Sequence, residues 1–212
     1  MNTAENKMLT AEYREVRQQM ATGDVIAFGG KGEFSNIIKF GTRSPVSHVG
    51  MVIKCRLLGD SKTRYFNEVI ESTTLLDFDA ESIKGVQKHR LSERVEHYDG
   101  DIWWLPLRRK YPDTVIIEMV EFLYAQLGKP YDIKQAIFSA LDRIPDSQED
   151  FSKFFCSELI AAAFEQAKIV PPVNASEVTP IDLCRWNIFC PTYYQLSGSV
   201  KNIPGYNTKR PS

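Results

Sequence analysis

The sequence predicts one domain that contains both helices and an antiparallel β-hairpin. Hydrophobic residues make up 43% of the 212 residues, enough to bury a substantial core. Two stretches, 47–54 and 64–72, are rich in apolar and β-branched residues and flank a short loop, which predicts the hairpin. Two others, 113–127 and 156–167, carry apolar residues at helical spacing.

Three elements are expected before the hairpin. Residues 9–21 carry an apolar stripe typical of a helix, and Gly23 is expected to end it. A short strand follows at 25–28, and a short helix at 34–40.

After the hairpin, the sequence predicts two strands and a series of helices. Trp103 and Trp104 fall on opposite faces of their strand, so one is expected in the core and the other nearer a surface or cleft. Residues 201–212, rich in Pro, Gly, Asn, Lys and Arg, are expected to form a loose tail. The strands are predicted at 86–91 and 102–107, the helices at 113–127, 133–141, from Cys156 and after residue 179, with a return strand beyond.

The hairpin is expected to bring a histidine and a carboxylate together. If it is symmetric about Gly59 and Asp60, His48 lies directly opposite Glu71, with both side chains on one face. In the same register Met51 lies beside Glu68 on the other face. A histidine is unusual at the start of a strand as apolar as this one, although most such residues are core histidines bonded to the backbone.

Cys156 opens a predicted helix. Unpaired N–H groups and the helix dipole favour negative charge at that end, so a thiolate is favoured there. Most cysteines are nevertheless simply buried residues. Thiol catalysis also needs a histidine within hydrogen-bond reach and a third polar group to orient it. His48 and Glu71 are the candidates for those two roles.

A metal site is the other chemical option for these side chains. Cys184 and Cys190, with His48 and Cys156, could in principle hold zinc. However, the Cys-x5-Cys spacing of the first two differs from the Cys-x2-4-Cys spacing that zinc sites usually have. We therefore expect no metal and no cofactor. Cys55 is interpreted as structural, and the four cysteines are expected to be reduced thiols.

Composition excludes several partners. With 26 basic and 27 acidic residues there is no electrostatic case for nucleic acid. The sequence contains no uncharged apolar run of about 18 residues, so no transmembrane helix is predicted. The polar N-terminus shows no secretory signal, so a cytoplasmic location is expected.

His89 and His97 lie among charged residues and are interpreted as surface histidines. The sequence does not determine the oligomeric state.

Five short segments together resemble the NlpC-type papain-like cysteine peptidases. The cysteine helix follows the histidine strand here, whereas ordinary members have the opposite order. This order resembles the circularly permuted branch of that superfamily, which is related to lecithin–retinol acyltransferase-like enzymes. The resemblance spans about residues 23–195 and is carried by residues 23–26, 47–52, 69–72, 128–132 and 155–159.

The resemblance implies an α+β papain-like fold, with an antiparallel sheet packed against the helix of the nucleophile. Residues 1–200 would form a single catalytic domain that begins with an N-terminal helix within 1–22, followed by the tail at 201–212. Cys156 matches the nucleophile, His48 the base and Glu71 the third polar residue. Tyr131 and Ser157 match positions that contact the substrate or its oxyanion, and the Cys156 N–H is the expected oxyanion donor.

Three functions remain open on this basis. The first is a cysteine hydrolase that cleaves an amide or peptide bond, such as one in a cell-wall-type peptide, through a thioester. The second is an acyltransferase or a lipid or ester deacylase with the same triad. The third is a non-catalytic binding module. A charged, open groove would favour a peptide, whereas a deep apolar tunnel lined by Trp103 or Trp104 would favour an acyl chain.

Overall fold

A computed structural model describes residues 5–31, 42–57, 64–73, 85–130 and 155–212. Within these ranges the protein has the predicted α+β architecture, built on a mixed seven-stranded sheet. The strands are β1 (Lys7–Thr10), β2 (Val25–Gly30), β3 (His48–Leu57), β4 (Arg64–Thr73), β5 (Gly85–Arg90), β6 (Gly100–Leu105) and β7 (Thr192–Ser197). The helices are α1 (Tyr13–Val16), α2 (Leu91–His97), α3 (Asp113–Ala125), α4 (Cys156–Gln166) and α5 (Pro180–Arg185), with a 3-10 turn at Ala175–Glu177.

The strand order is β1-β7-β6-β2-β3-β4-β5, and the N-terminal segment forms one edge. Strand β1 lies parallel to β7, whereas the other neighbouring strands are antiparallel. The helix predicted at 9–21 is confirmed only over Tyr13–Val16, and its first two residues belong to β1 instead. Pairing with β7 overrides helix propensity at these two residues. Val16 and Met20, two residues of the predicted stripe, are still buried against the sheet.

Strands β3 and β4 form the predicted antiparallel hairpin, but its register differs from the predicted one. Met51 pairs with Ile70 rather than with Glu68, which lies opposite Ile53 instead. The prediction assumed a loop centred on Gly59 and Asp60, and the residues 58–63 of that loop lie outside the described part. The prediction that His48 lies directly opposite Glu71 is therefore wrong. Side chains alternate with a period of two, so this two-residue displacement still leaves His48 and Glu71 on the same face.

Hydrophobic clusters cover both faces of the sheet. One cluster packs Trp103 and Met51 against α3 and α4, and the other contains Trp104, Phe28 and Met20. The two tryptophans therefore lie on opposite faces, as predicted. They are only 0% and 3% exposed, so the expectation that one of them approaches a surface or cleft is wrong. The reason is that the N-terminal segment and α2 cover the second face.

Helix α4 begins at Cys156, as predicted, and is embedded in the core. Every residue from Cys156 to Phe164 is buried, and the helix packs on β3, β4 and α3. Three consecutive alanines at 161–163 let these neighbours approach closely. The helix start is fixed by Glu158, whose carboxylate accepts a hydrogen bond from the Phe155 N–H at 3.1 Å. Cys156 is thus held at a defined helix start inside the protein.

Two other predicted helices, at 34–40 and 133–141, lie outside the described residues. Among the helices that are described, none combines the length and the apolar character that crossing a bilayer requires.

The segment 201–212 is packed against the domain, so the expectation of a loose tail is wrong. Ile203 and Tyr206 are each 3% exposed and belong to the core cluster on the α4 side. The Tyr206 hydroxyl donates to the Cys190 carbonyl at 2.8 Å, and the Lys209 N–H donates to the Arg185 carbonyl at 2.8 Å. The two buried side chains and these hydrogen bonds together anchor this otherwise polar segment.

Asp24 joins the start of β2 to the end of β6. Its buried carboxylate accepts hydrogen bonds from the Ala21 N–H (2.9 Å), the Trp104 Nε1–H (2.8 Å) and the Leu107 N–H (2.9 Å). Gly23 precedes it with φ +96°, and a Cβ there would lie 2.9 Å from Leu107 Cδ1. Gly23 and Asp24 therefore have a structural role, because they connect the start of β2 to the end of β6.

We expect Asp24→Ala to lower the free energy of unfolding by about 2–4 kcal/mol, because buried donors that lose their acceptor cost about 1–3 kcal/mol each. Urea unfolding followed by tryptophan fluorescence measures the change. Glu118→Ala, an exposed carboxylate on α3, is the matched control and should cost less than about 0.5 kcal/mol. Equal losses in the two variants would contradict the role given to Asp24.

Candidate active site

His48, the first residue of β3, contacts both other side chains that the sequence singled out. Its Nε2–H donates to Glu71 Oε2 at 2.5 Å, and Cys156 lies close enough to the ring to raise its pKa. Because Nε2 is engaged by Glu71, Nδ1 is the ring nitrogen left to interact with the sulfur. Only 13% of the His48 side chain is exposed. The structure thus brings Cys156, His48 and Glu71 together.

Gly50 leaves the space that Glu71 needs to reach His48 from the neighbouring strand. A Cβ on Gly50 would lie 2.6 Å from Val69 Cγ2 and 3.1 Å from Glu71 Cβ. Real Cβ atoms essentially never come as close as the first of these distances, and the second is tight, so a side chain at this position would force Val69 to shift and would crowd Glu71. The glycine two residues after the histidine is therefore part of how the pair is positioned.

Arg94 is a second partner of Glu71, and sequence reasoning missed it. Its Nε–H donates to Oε1 at 2.7 Å and its Nη2–H donates to Oε2 at 3.2 Å, a two-pronged contact with the carboxylate. The side chain of Glu71 is 0% exposed and that of Arg94 is 9% exposed. Arg94 lies on α2, which was not predicted because only a strand was expected around residues 86–91.

Two aromatic rings hold the Arg94 guanidinium in place. Its carbon lies 4.7 Å from the ring centroid of Phe28 and 4.8 Å from that of Tyr98, within the range of cation–π contacts. The two rings also contact each other, with centroids 4.9 Å apart. Tyr98 also lies close to Ser47, the residue before His48. The fork of Arg94 is therefore oriented by packing as well as by charge.

Glu71 is ionised in spite of its burial. Burial raises the pKa of this carboxyl, but the charge of Arg94, the hydrogen bond and charge of His48 and the hydrogen bond of Arg94 together lower it further. The net result is a pKa well below the usual value for glutamate. A fixed negative charge thus stands next to the histidine at every physiological pH.

The His48 ring is positively charged at neutral pH. Burial lowers its pKa, but the charge and hydrogen bond of Cys156, followed by the hydrogen bond and charge of Glu71, raise the pKa to about 9. A protonated histidine beside a cysteine is the arrangement that cysteine nucleophiles use.

The environments of the other three cysteines disfavour a thiolate. Burial raises the pKa of Cys184 and Cys190, and burial together with Glu68 raises that of Cys55 to about 11. These three side chains are thiols at neutral pH, which fits the structural role expected for Cys55.

His89 of β5 also approaches the carboxylate, so its interpretation as a surface histidine is wrong. Its Nε2 lies 4.0 Å from Glu71 Oε1, and its side chain is 19% exposed. Within the described part of the chain this buried nitrogen has no hydrogen-bond partner. The pairing of β5 with β4 draws it inward, which a charged sequence context does not predict. His97 is exposed, as expected.

Of the two predicted substrate-binding residues, the structure describes Ser157. The Ser157 hydroxyl is buried and donates to the Val178 carbonyl at 2.5 Å, so it ties α4 to the segment after the 3-10 turn. Tyr131 lies outside the described residues. Among the described tyrosines, Tyr98 lies within electrostatic range of Cys156 and Glu71.

A charged cleft of about 390 Å³ begins at Tyr98. Two ion pairs lie along it: Lys31 Nζ to Asp99 Oδ1 at 2.5 Å, and Lys201 Nζ to Asp101 Oδ2 at 2.8 Å. Its remaining lining is polar or glycine: Gly29, Gly100, Ser197, Gly198 and Ser199. In the part of the chain that is described, no group of three or more His, Cys, Asp or Glu side chains could hold a metal ion.

We expect Arg94→Gln to lower the free energy of unfolding by about 3–5 kcal/mol, because it leaves a buried charge without its main partner. Urea unfolding measures the change. In the Glu71→Gln background no charge is stranded, so the same substitution should cost much less there. Equal costs in both backgrounds would show that Arg94 acts through packing alone.

An NMR pH titration of the His48 ring should give a midpoint near 9. Cys156→Ala should lower that midpoint, because Cys156 makes the largest contribution that raises it, whereas Cys190→Ala should leave it unchanged. The pKa is raised in the folded state, so the stability conferred by this proton is complete below pH 6.5 and is lost as the pH rises through about 9. An unchanged midpoint in Cys156→Ala would contradict the ion pair.

Comparisons with known proteins add a structural likeness only. No protein-family model and no curated protein matches the chain. Among solved structures, it is similar to the crystal structure of the metalloprotein yiiX from Escherichia coli O157:H7, DUF1105, with a TM-score of 0.48 and 21% sequence identity. The match covers 70% of this chain and 67% of the other. Functional inference therefore depends on the geometry around Cys156.

Proposed function

We propose that the protein is a cysteine hydrolase that cleaves an amide or peptide bond through Cys156, His48 and Glu71. The observation that carries this proposal is the chain of contacts from the sulfur through the His48 ring to the buried Glu71 carboxylate. A histidine with a structural role would need only one of the two partners that His48 has. A binding module would need neither the charged pair of His48 and Glu71 nor the contact of Arg94 with Glu71. The sequence resemblance to permuted NlpC-type peptidases supports the same proposal.

In the first half of the reaction, the Cys156 thiolate attacks the substrate carbonyl carbon and the C=O electrons move to oxygen. The resulting oxyanion is bound by the Cys156 N–H at the start of α4, where the helix dipole favours negative charge. The neighbouring Phe155 N–H is already engaged by Glu158. When the tetrahedral species collapses, the C–N bond breaks and His48 Nδ1–H protonates the departing amine, leaving a thioester on Cys156.

In the second half, neutral His48 takes a proton from water through Nδ1. The hydroxide attacks the thioester, and collapse releases the carboxylic acid and the Cys156 thiolate. The proton that His48 gained restores the imidazolium. Throughout this cycle Glu71 keeps the ring oriented through Nε2, and Arg94 keeps Glu71 ionised.

The surroundings of the site support a peptide over an acyl chain. Trp103 and Trp104 are both buried in packed clusters, so neither lines an open apolar tunnel. The cleft that begins at Tyr98 is open and carries two ion pairs, and it reaches the site through Tyr98 rather than through the three proposed catalytic side chains, which do not line it. Exposed ion pairs are weak, so a substrate with polar or charged side chains can exchange partners with them at little cost.

The proposal predicts an acyl-enzyme that depends on Cys156. Wild type and Cys156→Ala are incubated with peptide, ester and lipid libraries, and intact-protein mass spectrometry is used to find adducts. We expect a mass increase on Cys156 with peptide or amide substrates and none in Cys156→Ala. Glu71→Gln should reduce turnover roughly 100-fold, since it weakens the general acid and base.

Cys190→Ala, which removes a thiol outside the site, should keep wild-type turnover. Adducts formed only from lipids or esters, or transfer of the acyl group to an amine or alcohol instead of water, would favour the acyltransferase or deacylase alternative. No Cys156-dependent turnover or adduct with any library would overturn the proposal in favour of a binding module.

A further inference from the structure

A second cleft lies at the far end of α4 from Cys156. Its volume is about 310 Å³, and it is bounded by the loop after β6, the segment that follows α4, the loop after α5 and the C-terminal segment. Helix α4 spans residues Cys156–Gln166, roughly 16 Å at the usual rise per residue. The cleft is therefore separate from the candidate active site.

Positive charge dominates this cleft. Three arginines line it, Arg108, Arg109 and Arg210, and no aspartate or glutamate is among its lining residues. Within the described ranges none of the three forms an ion pair with a carboxylate. This local excess stands out because the whole chain has a formal net charge of −1.

Arg108 is held in a fixed position. Its Nε–H donates to the Phe189 carbonyl at 3.0 Å, and its Nη2–H donates to Asn207 Oδ1 at 3.3 Å. Asn207 is buried, and the same oxygen accepts the Phe189 N–H at 3.3 Å. These bonds use two of the five guanidinium hydrogens, so the others remain available for a ligand.

The walls of the cleft are joined to one another by backbone hydrogen bonds. The Arg108 N–H donates to the Ile188 carbonyl at 2.9 Å, and the Asn187 N–H donates to the Lys209 carbonyl at 2.7 Å. The three segments that carry the arginines and Asn187 are thus connected before any ligand arrives. Such preorganisation lowers the entropic cost of binding.

We propose that this cleft binds a phosphate group attached to an apolar body. Guanidinium groups form charge-assisted, often two-pronged hydrogen bonds with phosphate oxygens, and the Asn187 amide adds a neutral donor. Apolar residues complete the lining, and they fit the uncharged part of such a ligand: Ile169, Pro171, Ile188 and Pro211. A free phosphate ester and a phospholipid headgroup share this chemistry.

Calorimetric titration with phenyl phosphate and with inorganic phosphate tests the site directly. We expect saturable 1:1 binding, tighter for phenyl phosphate because only this probe covers the apolar residues. Arg109→Gln and Arg210→Gln should each weaken the binding at least about tenfold, the equivalent of about 1.4 kcal/mol. Lys110→Gln removes the same charge from the neighbouring exposed position, which does not line the cleft, and should change the affinity little.

A second arm distinguishes the two sources of the phosphate. Co-sedimentation with phosphatidylcholine vesicles that contain phosphatidic acid, lost in Arg109→Gln and Arg210→Gln, would assign the site to a lipid headgroup. Binding of phenyl phosphate without vesicle binding would assign it to a soluble ester. No saturable binding of either probe, or an equal loss in Lys110→Gln, would overturn the proposal. Neither arm uses hydrolytic activity, so the result is independent of the proposed function.

Discussion

The buried carboxylate of Glu71 is the constraint on which the candidate active site depends. Removing a carboxylate from water costs several kcal/mol, and only close, well-directed partners offset that cost. Arg94 supplies two hydrogen bonds and a full charge, and His48 supplies a third hydrogen bond. The same interactions that stabilise the anion also keep the His48 ring charged and oriented. Stability and the proposed chemistry are therefore coupled at one residue.

The fold brings the residues of the candidate site together from four elements: β3, β4, α2 and α4. The β3–β4 hairpin places His48 and Glu71 on one face, with Gly50 leaving the necessary space between them. Helix α2 inserts Arg94 between two aromatic rings. Helix α4, buried along most of its length, presents Cys156 at a helix start that cannot shift without disturbing the core. The rigidity of the site follows from this packing.

Part of this arrangement could be predicted from the sequence. The alternation of side chains placed His48 and Glu71 on one face, and that survived an error in the register because the displacement was an even number of residues. The start of α4 at Cys156 followed from local signals. The errors share a cause: β1, the packed segment 201–212 and the inward position of His89 all depend on contacts with residues distant in sequence.

The sequence by itself determined which side chains could do chemistry and on which face of their elements they lie, because both depend on residue identity and local periodicity. Only the tertiary structure decided their charge states. Arg94 belongs to a helix with no clear sequence signal, and its partner Glu71 lies 23 positions earlier in the chain. Whether a buried carboxylate is ionised depends on such distant partners and on exclusion of water, and neither is encoded in the spacing of nearby residues.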